Sequence, residues 1–243
     1  MELVAKEIGR VGATFARGGV FRAGTYPRED FGLKRSLMEL WAKTARKHGL
    51  KTILEVLDVR QVWDMEPYAD AFQVGARHMQ DYALLKELAS SQRVVTLKRN
   101  MGATLDEFLG AAEYLARGKC QPVLIERGGS TNLNHVRWDL SISLIAAVKQ
   151  ITEIPILVDA SHGTGRRDLV EPMTLAGIAA GADGFLVEVH PDPEKSLSDA
   201  DQALPLRRYE YLLEEVRAVR EAICPKITGH KLTKFSTWTT SST

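Results

Sequence analysis

The chain has 243 residues, with 32 Lys+Arg against 31 Asp+Glu and a formal net charge of +1. Hydrophobic residues at 44% and charged residues at 26% are ordinary globular usage and exclude a disordered chain; the near-neutral balance excludes an electrostatic footprint for nucleic acid or an anionic membrane. No apolar run approaches the roughly 20 residues a membrane span needs, and two cysteines cannot build a disulfide framework, so a reducing cytoplasm is expected.

In chain order, the pattern opens with a helix over Met1–Val11, an amphipathic start and not a signal peptide. A strand at Thr14–Arg17 and a helix at Lys34–His48 follow. Then come strand Thr52–Val56, helix Arg60–Glu66, strand Ala71–Val74, helix Met79–Ala89, strand Val94–Leu97 and helix Thr104–Arg117. The last third reads strand Val123–Glu126, helix Asp139–Thr152, strand Ile156–Asp159, helix Arg167–Ala180, strand Gly184–Val187 and helix Pro205–Ile223. The strands are continuous apolar runs, as buried parallel strands require, and the helices have a 3.6 period. Thr104 with Glu107 spells a capping box, and Gly49, Gly118 and Gly181 fall where helix C-caps belong.

Eight helices and seven strands over this length predict an α/β fold, a (β/α)₈ TIM-type barrel lacking a clear first strand. A doubly wound open sheet is the rival, but no Gly-x-Gly-x-x-Gly turn follows any strand. Residues 1–223 then form a single barrel domain and 224–243 a polar C-terminal tail. The alternative for the tail is a strand entering the vacant first position. Lys231-Leu232-Thr233-Lys234-Phe235 alternates polar and apolar, which suits a strand buried on both faces poorly, so the tail is the preferred reading.

In a barrel, chemistry sits at the C-terminal ends of the strands. Those ends carry Arg17, Glu55, Asp58, Arg77, Lys98, Arg99, Glu126, Arg127, Asp159, His162, Glu188 and His190. Arg17, Arg77, Lys98 and Arg127 form a cationic subset suited to a substrate with several negative charges; the alternative is that each pairs with a neighbouring carboxylate such as Glu55 or Glu126. His162, Glu188 and Asp199 form a second subset that could hold a divalent metal of the Mn, Fe or Zn type. The alternatives are a loop histidine satisfied by hydrogen bonds and a helix-cap aspartate. His48 ends a helix and reads as a dipole partner; His78 and His190 lie on the same face as the cations. Cys120 and Cys224 fall at the opposite end and read as structural thiols.

The densest motif is Asp159-Ala160-Ser161-His162-Gly163-Thr164-Gly165-Arg166-Arg167-Asp168-Leu169-Val170-Glu171-Pro172. With it go Gly181 through Pro193, Leu197-Ser198-Asp199, Gly75-Ala76-Arg77, Leu97-Lys98-Arg99, Ala112-Glu113-Tyr114 and Glu126-Arg127-Gly128. Over residues 1–223 the chain resembles the 3-deoxy-D-arabino-heptulosonate-7-phosphate (DAHP) synthases, of the bacterial and archaeal branch related to the octulosonate-phosphate synthases. The resemblance implies a TIM barrel and an aldolase-like transferase. Its reaction joins phosphoenolpyruvate to erythrose 4-phosphate, at the entry of the shikimate pathway to aromatic amino acids.

By the same resemblance Arg77, Lys98 and Arg127 bind phosphoenolpyruvate, Arg17 matches the family's Arg at the second strand and is a substrate-binding candidate, Lys98 and His162 are catalytic, and His162, Glu188 and Asp199 ligate a divalent metal. The expected partners are small phosphorylated substrates and further copies of the chain, with no nucleic acid and no membrane. Two features depart from the family. The family's first strand ends Gly-Pro-Cys-Ser, with the Cys as a further metal ligand, and this chain starts just after that point, so its metal site reads as incomplete. The family's Lys-Pro-Arg-Thr acceptor loop reads Arg22-Ala23-Gly24-Thr25, which keeps Arg22 and Thr25 as substrate-binding candidates but puts Gly24 in place of an Arg. The alternatives implied are a paralogue with a different acceptor, or a truncated, non-catalytic member.

Overall fold

The computed structural model describes residues 1–18, 35–196 and 199–227. Seven strands form one sheet in strict chain order: β1 (Phe15–Gly18), β2 (Lys51–Val56), β3 (Ala71–Val74), β4 (Val94–Lys98), β5 (Gln121–Glu126), β6 (Ile156–Val158) and β7 (Gly184–Phe185). Every neighbouring pair is parallel, with Arg17 opposite Ile53, Glu55 opposite Gln73, Lys98 opposite Ile125 and Val158 opposite Phe185. The helices are α1 (Glu2–Arg10), α2 (Arg35–Lys47), α3 (Gln61–Met65), α4 (Tyr82–Ala89), α5 (Leu105–Ala116), α6 (Ile142–Ile151), α7 (Ala160–Thr164), α8 (Arg167–Ala179) and α9 (Leu206–Ile227). Strand, helix, strand in one parallel order makes the curled α/β sheet of the TIM type that the sequence pattern predicts.

The core explains the pattern. All four residues of β3 are buried, as are the last four of β4 and β5. Leu54, Phe72, Leu97 and Leu124 from the strands meet Leu84, Leu88, Phe108 and Leu115 from the helices in one cluster. The capping box is present on α5: Thr104 Oγ1 accepts from the Glu107 N–H at 3.2 Å, and Glu107 accepts from the Thr104 N–H at 2.8 Å. Gly49 and Gly181 leave α2 and α8 at φ +74° and +106°. Gly118 has a different role, because a Cβ there would lie 2.2 Å from the Ala89 carbonyl oxygen. The turn before β5 therefore approaches α4 too closely for any side chain.

The observed boundaries differ from the expected ones for local reasons. Helix α4 starts at Tyr82, because Asp81 caps the Leu84 N–H at 3.1 Å. Helix α6 starts at Ile142, because Asp139 is engaged in a bridge to Gly129. Strand β7 stops at Phe185, and a separate parallel pair follows, β8 (Val189–His190) with β9 (Leu204–Pro205). Helix α9 runs on to Ile227, past the expected end at Ile223. His48 Nε2 meets Glu2 Oε1 on α1 at 2.8 Å. Residues 228–243, including Lys231 to Phe235, lie outside the described residues, as do Arg22 and Thr25.

Among the described residues β1 and β7 are the two edges of the sheet. A cavity of about 380 Å³ lies between them, lined by Phe15, Arg17, Phe185 and Val187, with Val4 and Ile8 of α1 behind it. That is the position the sequence pattern leaves without a strand. No helix of the described residues is long and apolar enough to cross a membrane.

Phe72 is fully buried at the centre of β3. Its truncation leaves a cavity that neighbouring strands cannot close, so Phe72→Ala is expected to cost about 3–5 kcal/mol. Urea unfolding should show a lower midpoint at unchanged slope; an unshifted midpoint would place Phe72 outside the core.

Candidate active site

The C-terminal edge of the sheet is organised by one buried carboxylate. Asp159 follows β6 and is fully buried. Its Oδ2 accepts from Lys98 Nζ, at the end of β4, at 2.7 Å. Its Oδ1 caps α7 by accepting from the His162 N–H at 3.0 Å and also meets His162 Nδ1 at 3.0 Å. Burial pushes the Asp159 carboxyl up, but the charges of His162 and Lys98 more than offset it and hold it well below the usual carboxylate range. An ionised Asp159 can only accept, so Nδ1 of His162 carries the proton and Nε2 keeps its lone pair.

That lone pair faces acids from the next turns. His162 Nε2 is 3.5 Å from Glu188 Oε1. Ligand atoms of His162, Glu188 and Asp199 all lie within 4.8 Å of one another. Glu188 is anchored by its N–H, which donates to Ser161 Oγ at 3.0 Å, and Asp199 sits at φ +56°. Burial lowers the His162 value, against the pull of Asp159, which favours the neutral imidazole a metal requires. One imidazole nitrogen and two carboxylates, with the other ring nitrogen held by an acid, fit a divalent ion.

Arg17, on β1, pairs with carboxylates, as Lys98 does with Asp159. It donates to Glu188 Oε1 at 2.6 Å and stands 3.9 Å from Glu55. Burial would lower its value, but Glu188 and Glu55 raise it.

Arg127 does not pair with its neighbour. Glu126 takes both Nε and Nη2 of Arg99, and its Oε1 also accepts the N–H groups of Gly128 at 2.9 Å and Ser141 at 3.2 Å. Arg127 instead lies over the Trp138 ring, 5.4 Å from its centroid. Its Nε and Nη1 are buried with no hydrogen-bond partner among the described residues. Burial lowers its pKa, Asp159 opposes that, and the charges of Arg137 and Arg77 add to the lowering. Lys98 is also lowered, first by burial and then by Arg17, against the pull of Asp159.

The structure thus brings Arg17, Arg77, Lys98, Arg127, His162, Glu188 and Asp199 to one mouth. His190 is satisfied locally, its Nδ1 2.6 Å from the Asp192 carbonyl. Sequence reasoning gave no role to Asp159, to the Arg99–Glu126 pair or to the Arg137–Trp138 dipeptide. An acid three residues before a histidine at a helix start, and matched Lys-Arg and Glu-Arg doublets at adjacent strand ends, were the available signals. A larger hollow of about 680 Å³ lies beside α8. Its arginines are already committed, Arg166 to Asp168, Arg167 to Glu194 and Arg208 to Glu171.

Fold and site together define a TIM-type α/β protein whose strand ends bring a cluster of cations beside three residues that could hold a metal ion. More narrowly, the chain belongs to the DAHP synthetase I family, whose sequence model matches residues 2–224. It is 38% identical over 221 residues to the phospho-2-dehydro-3-deoxyheptonate aldolase of Thermotoga maritima, covering 90% of this chain and 65% of that relative's length. It is 30% identical over 204 residues to the 2-dehydro-3-deoxyphosphooctonate aldolase of Desulfotalea psychrophila, covering 79% of this chain and 71% of that relative. A truncated form of 3-deoxy-D-arabino-heptulosonate 7-phosphate synthase from Thermotoga maritima superposes with a TM-score of 0.83 at 36% identity, over 91% of this chain and 81% of that one. The crystal structure of the Thermotoga maritima phospho-2-dehydro-3-deoxyheptonate aldolase (DAHP synthase) gives 0.86 at 37%, over 91% and 65%.

Because the folded Asp159 value is depressed, its stabilisation is present above the unfolded value of about 3.9 and lost as pH falls through the folded one. Asp159→Asn leaves Lys98 buried without its counter-charge, at a cost of about 3–5 kcal/mol. The stability gap between wild type and Asp159→Asn should not narrow from pH 7 to about 5, since His162 also loses the pull of Asp159 in the variant, and should shrink only below about pH 3.9. A gap that closes near pH 6 would mean the carboxylate is not held this way.

Proposed function

We propose that this chain is a DAHP-synthase-type transferase that condenses phosphoenolpyruvate with erythrose 4-phosphate. The observation that carries the reading is Arg127, a buried guanidinium with two polar atoms that find no partner among the described residues. A buried cation held this way calls for an anion. Phosphoenolpyruvate offers a phosphate and a carboxylate, and Arg127, Lys98 and Arg77 are the groups to receive them. Lys98, lowered by burial yet held by Asp159, is placed to give or take a proton at the enolpyruvyl group. In the overall reaction carbon three of phosphoenolpyruvate bonds to the aldehyde carbon, water adds at carbon two, and inorganic phosphate leaves.

His162, Glu188 and Asp199 would hold a divalent ion of the Mn, Fe or Zn type. When bound, that ion supplies Lewis acidity at the aldehyde oxygen of the acceptor. Asp159 fixes the His162 ring, and Arg17 holds Glu188 beside it by a hydrogen bond of 2.6 Å.

A second reading keeps phosphoenolpyruvate and changes the acceptor to a longer aldose phosphate. It is favoured by Gly24 in the acceptor loop and by the octonate aldolases among the relatives.

Phosphoenolpyruvate should raise the melting temperature by mass action, equivalent to about 2.7 kcal/mol at a hundred times its Kd. Arg127→Ala should abolish the rise. Calorimetry showing no heat of binding at millimolar phosphoenolpyruvate would remove the reading. Separately, elemental analysis after dialysis against Mn²⁺ should find less metal on His162→Ala than on wild type; equal loading would place the ion elsewhere.

A further inference from the structure

We infer that Trp138 is a further phosphoenolpyruvate-binding residue, whose indole N–H donates to the phosphate group held by Arg127. The inference rests on the transferase reading above and deepens it. Trp138 lies between β5 and α6, in a stretch of backbone clamped on both sides. Its own N–H donates to the Gly163 carbonyl at 3.0 Å, and the Arg137 N–H donates to the Thr164 carbonyl at 2.8 Å. On the other side the Asp139 N–H donates to the Gly129 carbonyl at 3.0 Å, and the Asp139 carbonyl accepts from the Gly129 N–H at 2.9 Å. Gly128 is at φ +94°, and a Cβ there would lie 2.6 Å from Trp138 Cβ. Trp138 is thus set directly against the residue that follows Arg127, at a spot where glycine alone leaves room.

From that backbone the half-buried ring reaches Arg127, whose Cζ lies 5.4 Å from the ring centroid. Donors are left over on both side chains. Arg127 Nε, Arg127 Nη1 and Trp138 Nε1 are all buried, and none finds an acceptor among the described residues. A buried indole N–H ordinarily has a partner. The carboxylates of the adjoining strand ends are already taken. Glu126 accepts from Arg99 and from the N–H groups of Gly128 and Ser141, and Asp159 accepts from Lys98 and meets His162. Two side chains in contact therefore present three donors to an acceptor that the described residues do not supply.

The donors select the group. Nε and Nη1 make one edge of the guanidinium fork, and such an edge takes two oxygens side by side. A carboxylate spends both its oxygens there. A phosphate monoester keeps a third acceptor oxygen, and that oxygen is the one an indole N–H can meet. The indole gives a single hydrogen bond and carries no charge. It therefore adds direction to the attraction that Arg127 supplies, and it places the phosphate end of phosphoenolpyruvate at Arg127.

The test uses the full chain with Trp138→Phe, which keeps an aromatic face on Arg127 and removes the N–H. Calorimetry with phosphoenolpyruvate and with inorganic phosphate should show both weakened about tenfold and by a similar factor. In turnover KM for phosphoenolpyruvate should rise with little change in kcat. In the NMR spectrum of the wild type, one indole N–H resonance should move on titration with phosphoenolpyruvate, and that resonance should be the one missing from Trp138→Phe. A wild type that binds phosphoenolpyruvate while no indole resonance moves overturns this assignment alone, whether or not the variant folds. Unchanged phosphoenolpyruvate affinity in a folded Trp138→Phe also overturns it. So does a loss for phosphoenolpyruvate with none for inorganic phosphate, because the N–H would then serve the other end of the ligand. A wild-type chain that binds no phosphoenolpyruvate overturns the transferase reading and this inference with it.

Discussion

The site depends on Asp159. A carboxylate with no solvent exposure costs several kcal/mol to desolvate, and it persists only where partners satisfy it fully. Here Lys98, the backbone of α7 and the His162 ring all meet it. One group thereby ties the end of β4 to the start of α7, orients a lysine, and sets a histidine tautomer. Replacing it would loosen the anion pocket and the triad together, since both hang on the same two oxygens. The Arg99–Glu126 pair performs a similar service one strand over. It binds β4 to β5 and removes Glu126 from competition for Arg127.

The remaining charges are arranged against one another. Arg127, Lys98 and Arg77 raise the local potential, and burial penalises the charged forms of Arg127 and Lys98. On the proposed reading, a bound dianion would relieve that stress, which suits a ligand with two acidic groups. Arg17 works in the opposite sense. It is neutralised by Glu188 and Glu55, so it stabilises the carboxylate side of the mouth more than it attracts substrate. Four strand-end cations that look equivalent in sequence therefore divide into different roles once their partners are known.

The fold was legible because parallel strands buried on both faces leave continuous apolar runs, and β3 with its four buried residues is the clearest case. Helix α7 was not legible, since Ala-Ser-His-Gly-Thr has little helix propensity and exists as a helix only because Asp159 caps it. The pair β8 and β9 is too short to leave a period. Within the site, residue identities at strand ends could be read, but pairing could not. The sequence allowed Glu126 to neutralise Arg127, and only geometry shows that Glu126 belongs to Arg99. Arg137 and Trp138 lie in an irregular segment with no motif, so their place at the mouth follows from their backbone bonds to Thr164 and Gly163.

The central claim is that Arg127, whose Nε and Nη1 have no partner among the described residues, forms with Lys98 and Arg77 an anion pocket for phosphoenolpyruvate. A crystal structure with that ligand is the most direct measurement. The account predicts its phosphate and carboxylate within hydrogen-bonding distance of Arg127 Nε or Nη1 and of Lys98 Nζ, with Asp159 still bridging Lys98 and His162. Ligand bound in the hollow lined by Arg166, Arg167 and Arg208, with Arg127 left on Trp138 alone, would contradict it.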